Sequence, residues 1–130
     1  QKLHFLYNWL GHDKFWLHSN ETIPEGEVEL RYEFEPTGQP NPAKGYGVPA
    51  RGQLYINRKL VASIDMPYSI LFMSGTPGLS CGYDSADPAA PGEYSGRFAF
   101  TGKIKRVTID VSGELIQDTE ADMKIAMRRQ

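Results

Sequence analysis

The feature that most constrains the fold is a repeated alternation of apolar and polar residues. In the stretch EVELRYEFE every second residue is apolar, namely Val28, Leu30, Tyr32 and Phe34, and the residues between them are charged. Successive side chains of a strand point to opposite faces, so this period predicts a half-buried strand with one face in water. The same alternation recurs in KLHFLYNWL, RFAFT and KRVTIDV. The pattern therefore favours an antiparallel all-β fold.

The segments between these runs read as turns and one long loop. QLYI and LVASI flank Asn57-Arg58-Lys59 and predict a hairpin, since asparagine tolerates the left-handed backbone of such turns. Gly11-His12 predicts another tight turn, between the first two strands. The proline-rich loop from Gly38 to Gly52 is long enough to be functional rather than a simple connector. About eight or nine short strands at this spacing are typical of an antiparallel sandwich or jelly roll.

The end of the chain changes character. DTEADMKIAMRRQ offers Asp118 or Thr119 as a cap, with acids early and arginines late, which suits a helix dipole. We expect one C-terminal helix of about three turns. A helix this short is marginal alone in water, so it must pack on something.

Composition bounds the partners and the number of domains. The chain has 130 residues, of which 40% are hydrophobic, and this suits a single domain with one core. A net charge of −2 without a long basic run argues against nucleic acid or an anionic membrane as a partner. No apolar run approaches the roughly 20 residues of a membrane helix. Since the chain starts at Gln1 and shows no signal peptide, we expect a processed chain or an excised fragment.

The only cysteine lies in GLSCGYDSADPAAPGEYSG. A catalytic cysteine needs a base in reach, and the candidates are His4, His12 and His18, all near the N-terminus. Nothing in their spacing requires that one approaches Cys81. We therefore interpret Cys81 as a small packed residue in a short strand. One unpaired cysteine leaves the redox compartment unreadable.

Two sets of residues are candidates for metal binding. Asp84, Asp87 and Glu93 supply hard oxygens for calcium, but they lack the spacing of an EF-hand, and a wetted surface loop explains them equally well. The histidines are eight and then six positions apart, which matches no zinc signature. Opposite or diagonal strand pairing would bring His4 and His18 together. The favoured interpretation is that they are strand residues that bind no metal.

Aromatic residues are the best candidates for a binding surface. Phe15 and Trp16 are adjacent in a predicted strand, so one of them must point away from the core or into an interface. A sugar-stacking or domain-docking role for Trp16 is one hypothesis. Tyr46 and Tyr55 are the other candidates for an exposed aromatic platform. The acidic residues of the EVELRYEFE strand are expected to face solvent or a partner, and the glycines are expected in turns. No catalytic residue is therefore assigned.

The order of the segments resembles the C-terminal region of large bacterial arylsulfatases. The matching stretches are LYNWLGHDKFWLHSNETIPEGEVELRYEFE, GQLYINRKLVASIDMP, LSCGYDSADP, FTGKIKRVTIDV and AMRRQ. The resemblance runs from about Leu6 to Gln130 and depends on the order of elements, FTGKIKRVTIDV above all. The chain departs from the family at Asn57-Arg58-Lys59, where Asp-Gly is usual, in its proline-rich loop, and at Cys81 just before Gly82-Tyr83-Asp84.

The resemblance implies a non-catalytic C-terminal domain of a sulfuric-ester hydrolase. It would be a single domain over residues 1–130, an all-β antiparallel sandwich or jelly roll (concanavalin A-like) with one C-terminal helix. Its partners would be the catalytic domain of the same chain or another subunit, including a second copy. The family's cysteine or serine lies in C/S-x-P-x-R and becomes formylglycine, and none of the nine prolines here has Cys or Ser two positions before it. Formylglycine and calcium are therefore expected only in the parent's catalytic domain.

Three other functions remain open at this point. The first is a lectin-like carbohydrate-binding module, which would use an aromatic platform. The second is a self-contained enzyme that uses Cys81 and a histidine. The third is a structural dimerisation domain. The resemblance implies a bacterial protein but does not decide between periplasm and cytoplasm.

Overall fold

The computed structural model describes residues 1–72, 79–84, 90–94 and 98–111. These residues form five strands and one short 3₁₀ turn: β1 (Lys2–Trp9), β2 (Asp13–Thr22), β3 (Leu30–Pro36), the turn Pro42–Lys44, β4 (Ala50–Ile56) and β5 (Lys59–Met66). Within this part of the chain no helix is long and apolar enough to cross a membrane. The predicted C-terminal helix lies outside the described residues. The described part divides into two compact units, 1–72 with 90–93, and 79–84 with 94 and 98–111.

The first hairpin joins β1 and β2 in antiparallel register. The His12 N–H donates to the Trp9 carbonyl at 3.0 Å, which closes a tight turn. Leu10 and Gly11 occupy the centre of this turn with φ of 52° and 76°. Two successive left-handed residues match the twist of the flanking strands. The turn predicted at Gly11-His12 is therefore confirmed.

The second sheet has the order β3-β4-β5, with antiparallel neighbours throughout. The predicted hairpin between β4 and β5 is confirmed, but its turn is shorter than expected. Asn57 and Arg58 alone form it, with φ of 48° and 68°, and Lys59 already belongs to β5. The long loop is also shorter than the predicted range Gly38 to Gly52, because β4 begins at Ala50 and takes the last three of those residues.

The core lies between the apolar faces of the two sheets. Its buried side chains are those of Leu17 from β2, Leu54 and Ile56 from β4, and Val61 from β5. Partly buried apolar residues surround them, namely Leu3, Phe5, Ile23, Val28, Tyr32, Ala62 and Ile64. Each fully buried aliphatic side chain stabilises the fold by about 1.5–3 kcal/mol before entropy is subtracted. The structure therefore confirms an all-β chain with two antiparallel sheets.

The apolar face of β3 is less deeply buried than the alternating pattern predicts. Tyr32, in the middle of the strand, stacks on the Phe5 ring with centroids 3.6 Å apart. Towards the end of the strand, the centroids of the Phe34 and Tyr7 rings are 6.5 Å apart. Phe34 is 41% exposed. Leu30 is 44% exposed. The apolar face of β3 is thus covered at its centre and open at both ends.

The second unit departs from the sequence prediction. RFAFT and KRVTIDV were expected to be strands, yet residues 98–111 form none, and Val107, Ile109 and Val111 are exposed. An alternating pattern makes a strand only where a neighbouring strand completes the hydrogen-bond ladder. Among the described residues none pairs with this segment.

Cys81 also differs from its prediction. It is exposed and lies outside any strand, whereas a packed strand residue was expected. The reason is a local bend: Gly82 takes a φ of 83°, and the Ser80 hydroxyl donates to the Tyr83 carbonyl at 2.9 Å. The Phe100 N–H then donates to the Gly82 carbonyl at 2.6 Å. A chain that folds back over four residues cannot continue as a strand.

Candidate functional site

An aromatic cluster lies beside the first hairpin turn. The Tyr46 and Tyr68 rings stack with centroids 4.2 Å apart. Trp9 meets Tyr68 edge-on at 5.2 Å and Tyr46 at 5.6 Å, and Phe15 meets Tyr68 edge-on at 5.6 Å. Edge-to-face and offset pairs of this kind stabilise by about 0.5–1.5 kcal/mol each beyond the area they bury. The cluster therefore joins the first hairpin to the loop before β4 and to the chain after β5.

The polar groups of Tyr68 and Trp9 have hydrogen-bond partners. The Tyr68 hydroxyl donates a hydrogen bond to the Asp13 carboxylate. This bond, together with loss of water around the hydroxyl, raises the pKa of Tyr68 to about 12. The indole N–H of Trp9 donates to the Ser69 carbonyl at 3.1 Å. Because both groups already have partners, the cluster is best explained as a structural support.

The same cluster orders the loop of residues 37–49. The Gly47 N–H donates to the Ser69 carbonyl at 2.9 Å, and Tyr46 forms bridges with both Asn41 and Ile70. A methyl group at Gly47 would lie 2.5 Å from the Ile70 carbonyl oxygen, so only glycine fits there. Tyr46, a predicted platform residue, is half-buried, and Tyr68 covers one face of its ring.

The outer face of the first hairpin carries a different set of residues. His4 lies directly opposite His18, and Leu6 lies opposite Trp16. These four residues, which we call the outer patch, occupy the face opposite Phe5. The Trp16 ring stacks on the His18 ring with centroids 5.7 Å apart and planes 12° apart. Trp16 therefore points away from the core, as expected for one of the adjacent pair, whereas Phe15 contacts the aromatic cluster.

The two imidazoles of the outer patch touch. The Nδ1 atoms of His4 and His18 are 2.6 Å apart, and the rings meet edge-to-face with centroids 4.8 Å apart. Both residues are exposed. Opposite strand pairing was one of the two arrangements that the sequence allowed, and the register of β1 and β2 selects it. His12, by contrast, lies in the hairpin turn with its ring 6.1 Å from Trp9.

The outer face of the second sheet is charged. Tyr55, the third platform residue, lies under the Arg31 guanidinium, whose carbon is 4.1 Å from the ring centroid. Loss of water around its hydroxyl, and then Glu33, raise the pKa of Tyr55. Arg31 pairs with Glu33 at 3.4 Å. A cation already occupies the face of Tyr55 that a ligand would stack on.

A cleft of about 220 Å³ opens between β1 and β3, and it is lined by Leu3, His4, Phe5, Leu30, Arg31, Tyr32 and Leu54. The Tyr32 hydroxyl is buried and has no hydrogen-bond partner among the described residues. Burial, followed by the neighbouring Tyr7, raises the pKa of Tyr32 to about 12. The alternation of β3 places this ring inward, but no sequence signal marks its hydroxyl as unpaired.

Of the predicted calcium ligands the structure describes Asp84 and Glu93, which belong to different compact units. Asp84 accepts a hydrogen bond from the Tyr94 hydroxyl. The Glu93 N–H closes a turn onto the Ala90 carbonyl at 3.2 Å. Asp87 lies outside the described residues. Within the described ranges no three histidine, cysteine, aspartate or glutamate side chains gather to hold a metal ion.

Comparisons of the chain with protein-family models, with curated proteins and with solved structures gave no significant match. The function of the chain is therefore inferred from its own sequence and structure. Its surface offers exposed imidazoles, a stacked indole and a set of exposed apolar side chains in residues 98–111. These groups suit binding by stacking, coordination and apolar contact.

Proposed function

We propose that the chain is a non-catalytic C-terminal domain of an arylsulfatase-type sulfuric-ester hydrolase, and that it packs against the catalytic domain or a partner subunit. The observation that carries the proposal is the order of the quoted segments, which resembles that family over nearly the whole chain. The all-β architecture is compatible with it, although a fold alone never specifies a function. The proposed form is a jelly-roll sandwich of the concanavalin A-like kind.

Exposed apolar residues in the second unit support a docking role. Phe98 and Phe100 are 67% and 60% exposed, and Val111 is 90% exposed. Where exposed apolar side chains such as these form one patch, the patch commonly marks an interaction site. FTGKIKRVTIDV, the stretch that carries most of the resemblance, lies in this same region. The proposed partner for it is the catalytic domain of the parent polypeptide.

The direct test is to read the natural reading frame upstream of Gln1 and to weigh the intact polypeptide by mass spectrometry. A large upstream domain with C/S-x-P-x-R, and a mass that shows formylglycine at that position, would support the proposal. A natural chain that begins near Gln1 would refute it. A binding assay between the separately produced catalytic domain and this chain, with Val111→Asp as the variant and Leu10→Asp as the matched exposed control, would then test the docking role.

The outer patch supports a second candidate, a lectin-like carbohydrate-binding module. An indole held flat by a neighbouring ring is suited to stacking on a sugar. A glycan array probed with the 130-residue chain tests this candidate. Binding that is lost in Trp16→Ala but kept in Leu10→Ala would support it. An array without binding at high protein concentration would exclude it.

A further inference from the structure

Two side chains that commonly bind metal ions, those of His4 and His18, touch on the outer face of the first hairpin. The antiparallel register places them directly opposite each other, with Nδ1 atoms 2.6 Å apart. Both side chains are exposed, so an ion can reach them from solvent. In the absence of an ion, one ring N–H of the pair faces the lone pair of the other ring.

We propose that His4 and His18 together chelate a late first-row divalent transition-metal ion, with Cu²⁺ bound more tightly than Ni²⁺ or Zn²⁺. Imidazole nitrogen is a preferred ligand of these ions, and Cu²⁺ stands highest in their affinity order. Two nitrogens on one ion, each about 2.0–2.1 Å from it, are roughly 3–3.4 Å apart. The imidazoles must therefore separate by less than about 1 Å, which exposed side chains reach by small rotations.

Besides this small separation, binding requires a change of tautomer in one ring. Nδ1 of both histidines must present a lone pair to the ion. The ring that carries its proton on Nδ1 passes that proton to solvent and regains one at Nε2, so the neutral pair binds without net release of protons. Water molecules complete the coordination. Two protein ligands give an exchangeable ion of modest affinity rather than a buried structural metal.

Neighbouring residues restrict the positions of His4 and His18 before an ion binds. Stacking of Trp16 on His18 restricts the orientation of the His18 ring. Beside His4, the Leu3 N–H donates to the buried Ser19 hydroxyl at 3.0 Å, which fixes β1 against β2 at the point where their register shifts. Ligands that are ordered before binding lose less entropy when the ion arrives. An ion bound here would clamp the N-terminal strand to its neighbour.

The test is a titration of the 130-residue chain with CuCl₂ near neutral pH, in a Cys81→Ser background because an exposed thiol also binds copper. Calorimetry gives affinity and stoichiometry, and indole fluorescence reports quenching by copper close to Trp16. We expect one ion per chain. The variants His4→Ala and His18→Ala should each weaken binding by roughly a hundredfold, because the second ligand acts at high effective concentration. His12→Ala is the matched control and should bind normally.

Two further variants separate coordination from folding. His4→Gln and His18→Gln keep a polar side chain of similar size, and circular dichroism shows whether the sheet is retained. Trp16→Phe should lose most of the quenching while it keeps the heat of binding. The proposal is overturned if the His4 variants bind copper as tightly as the parent. It is equally overturned if His12→Ala weakens binding as much, or if no saturable binding is found.

This proposal is independent of the sulfatase assignment. A natural chain without an upstream sulfatase domain would remove the proposed function and leave the copper titration unaffected. A titration without saturable binding would remove the metal site and leave the reading-frame test unaffected.

Discussion

Replacing Tyr32 by phenylalanine should stabilise the chain. The Tyr32 hydroxyl is buried, and no residue in the described part of the chain forms a hydrogen bond with it. The folded state has therefore lost the water that binds this group in the unfolded chain. Phenylalanine keeps the ring, and with it the stack on Phe5 at 3.6 Å. A Cβ at Gly52 would lie 3.0 Å from the Tyr32 hydroxyl oxygen and 3.2 Å from its ring, so phenylalanine keeps the ring at this position and removes only the oxygen.

The size of the gain follows from two opposing terms. An unsatisfied buried hydroxyl costs about 1–3 kcal/mol. The oxygen's own dispersion contacts are worth about 0.1–0.2 kcal/mol each, and a few of them are lost. The net gain in the free energy of unfolding should therefore be about 1 kcal/mol near neutral pH. That corresponds to a rise of roughly 0.3–1 M in the urea midpoint.

The gain should grow in alkali. The unfolded chain releases the Tyr32 proton near pH 10, whereas the folded chain holds it to about pH 12. Between these values the folded state binds more protons than the unfolded state, so the stability of the parent chain falls as pH rises. The phenylalanine variant lacks this proton, and its own stability should fall less steeply over that window.

Urea unfolding followed by circular dichroism measures both effects, and Tyr7→Phe is the matched control. The Tyr7 hydroxyl accepts the Ile70 N–H at 2.9 Å, so the same chemical change there removes a real bond and should destabilise by about 1 kcal/mol. Opposite signs for the two variants are the expected result. A Tyr32→Phe variant that is less stable than the parent would refute the claim that its hydroxyl lacks a partner.

Three further predictions concern the turns and the aromatic cluster. Gly47→Ala should destabilise by about 1–3 kcal/mol in urea unfolding, because its methyl group would lie 2.5 Å from the Ile70 carbonyl oxygen; an unchanged midpoint would contradict the packing described. Leu10→Asn should raise stability by about 1 kcal/mol, since Leu10 holds a φ of 52° and Asn before Gly11 is a favoured turn pair; a lower melting temperature would count against it. Tyr68→Phe should lower stability at neutral pH and flatten the decline between pH 10 and about 12, because the folded-state pKa of Tyr68 is raised to about 12; an identical alkaline profile in the variant would disprove this.

The sequence predicted the first half of the chain better than the second. The alternation of apolar and polar residues, together with Gly11 and Asn57 at the turns, predicted both hairpins. This was possible because strand pairing in a hairpin is local. The inward position of Phe5 and Tyr32 followed from the same period of two. The lengths of the turn at Asn57 and of the loop before Ala50 could not be predicted, since several turn lengths are compatible with the same flanking residues.

Long-range contacts set the limit of the sequence prediction. The aromatic cluster depends on Tyr68, which is 55 residues from its partner Asp13 and follows no local pattern. Cys81 was expected to be packed because of its type, whereas a bend at Gly82 leaves it exposed. The apolar pattern of residues 105–111 gives no information on whether a partner strand is available to pair with it.

The two faces of the first hairpin have different surroundings. The inner face packs on the core, and the outer face carries the outer patch, for which copper and sugar binding are proposed. Phe5 and Leu17 on the inner face make the contacts with the core, whereas on the outer face His4 and His18 are exposed and Trp16 is half-buried. Side chains on such a face are usually polar and mobile, yet here an indole stacks on one imidazole and a second imidazole touches the first. Ordering exposed rings costs side-chain entropy that the core does not require. Copper and sugar titrations of the same Trp16 and His18 variants decide between the two ligands proposed for this face.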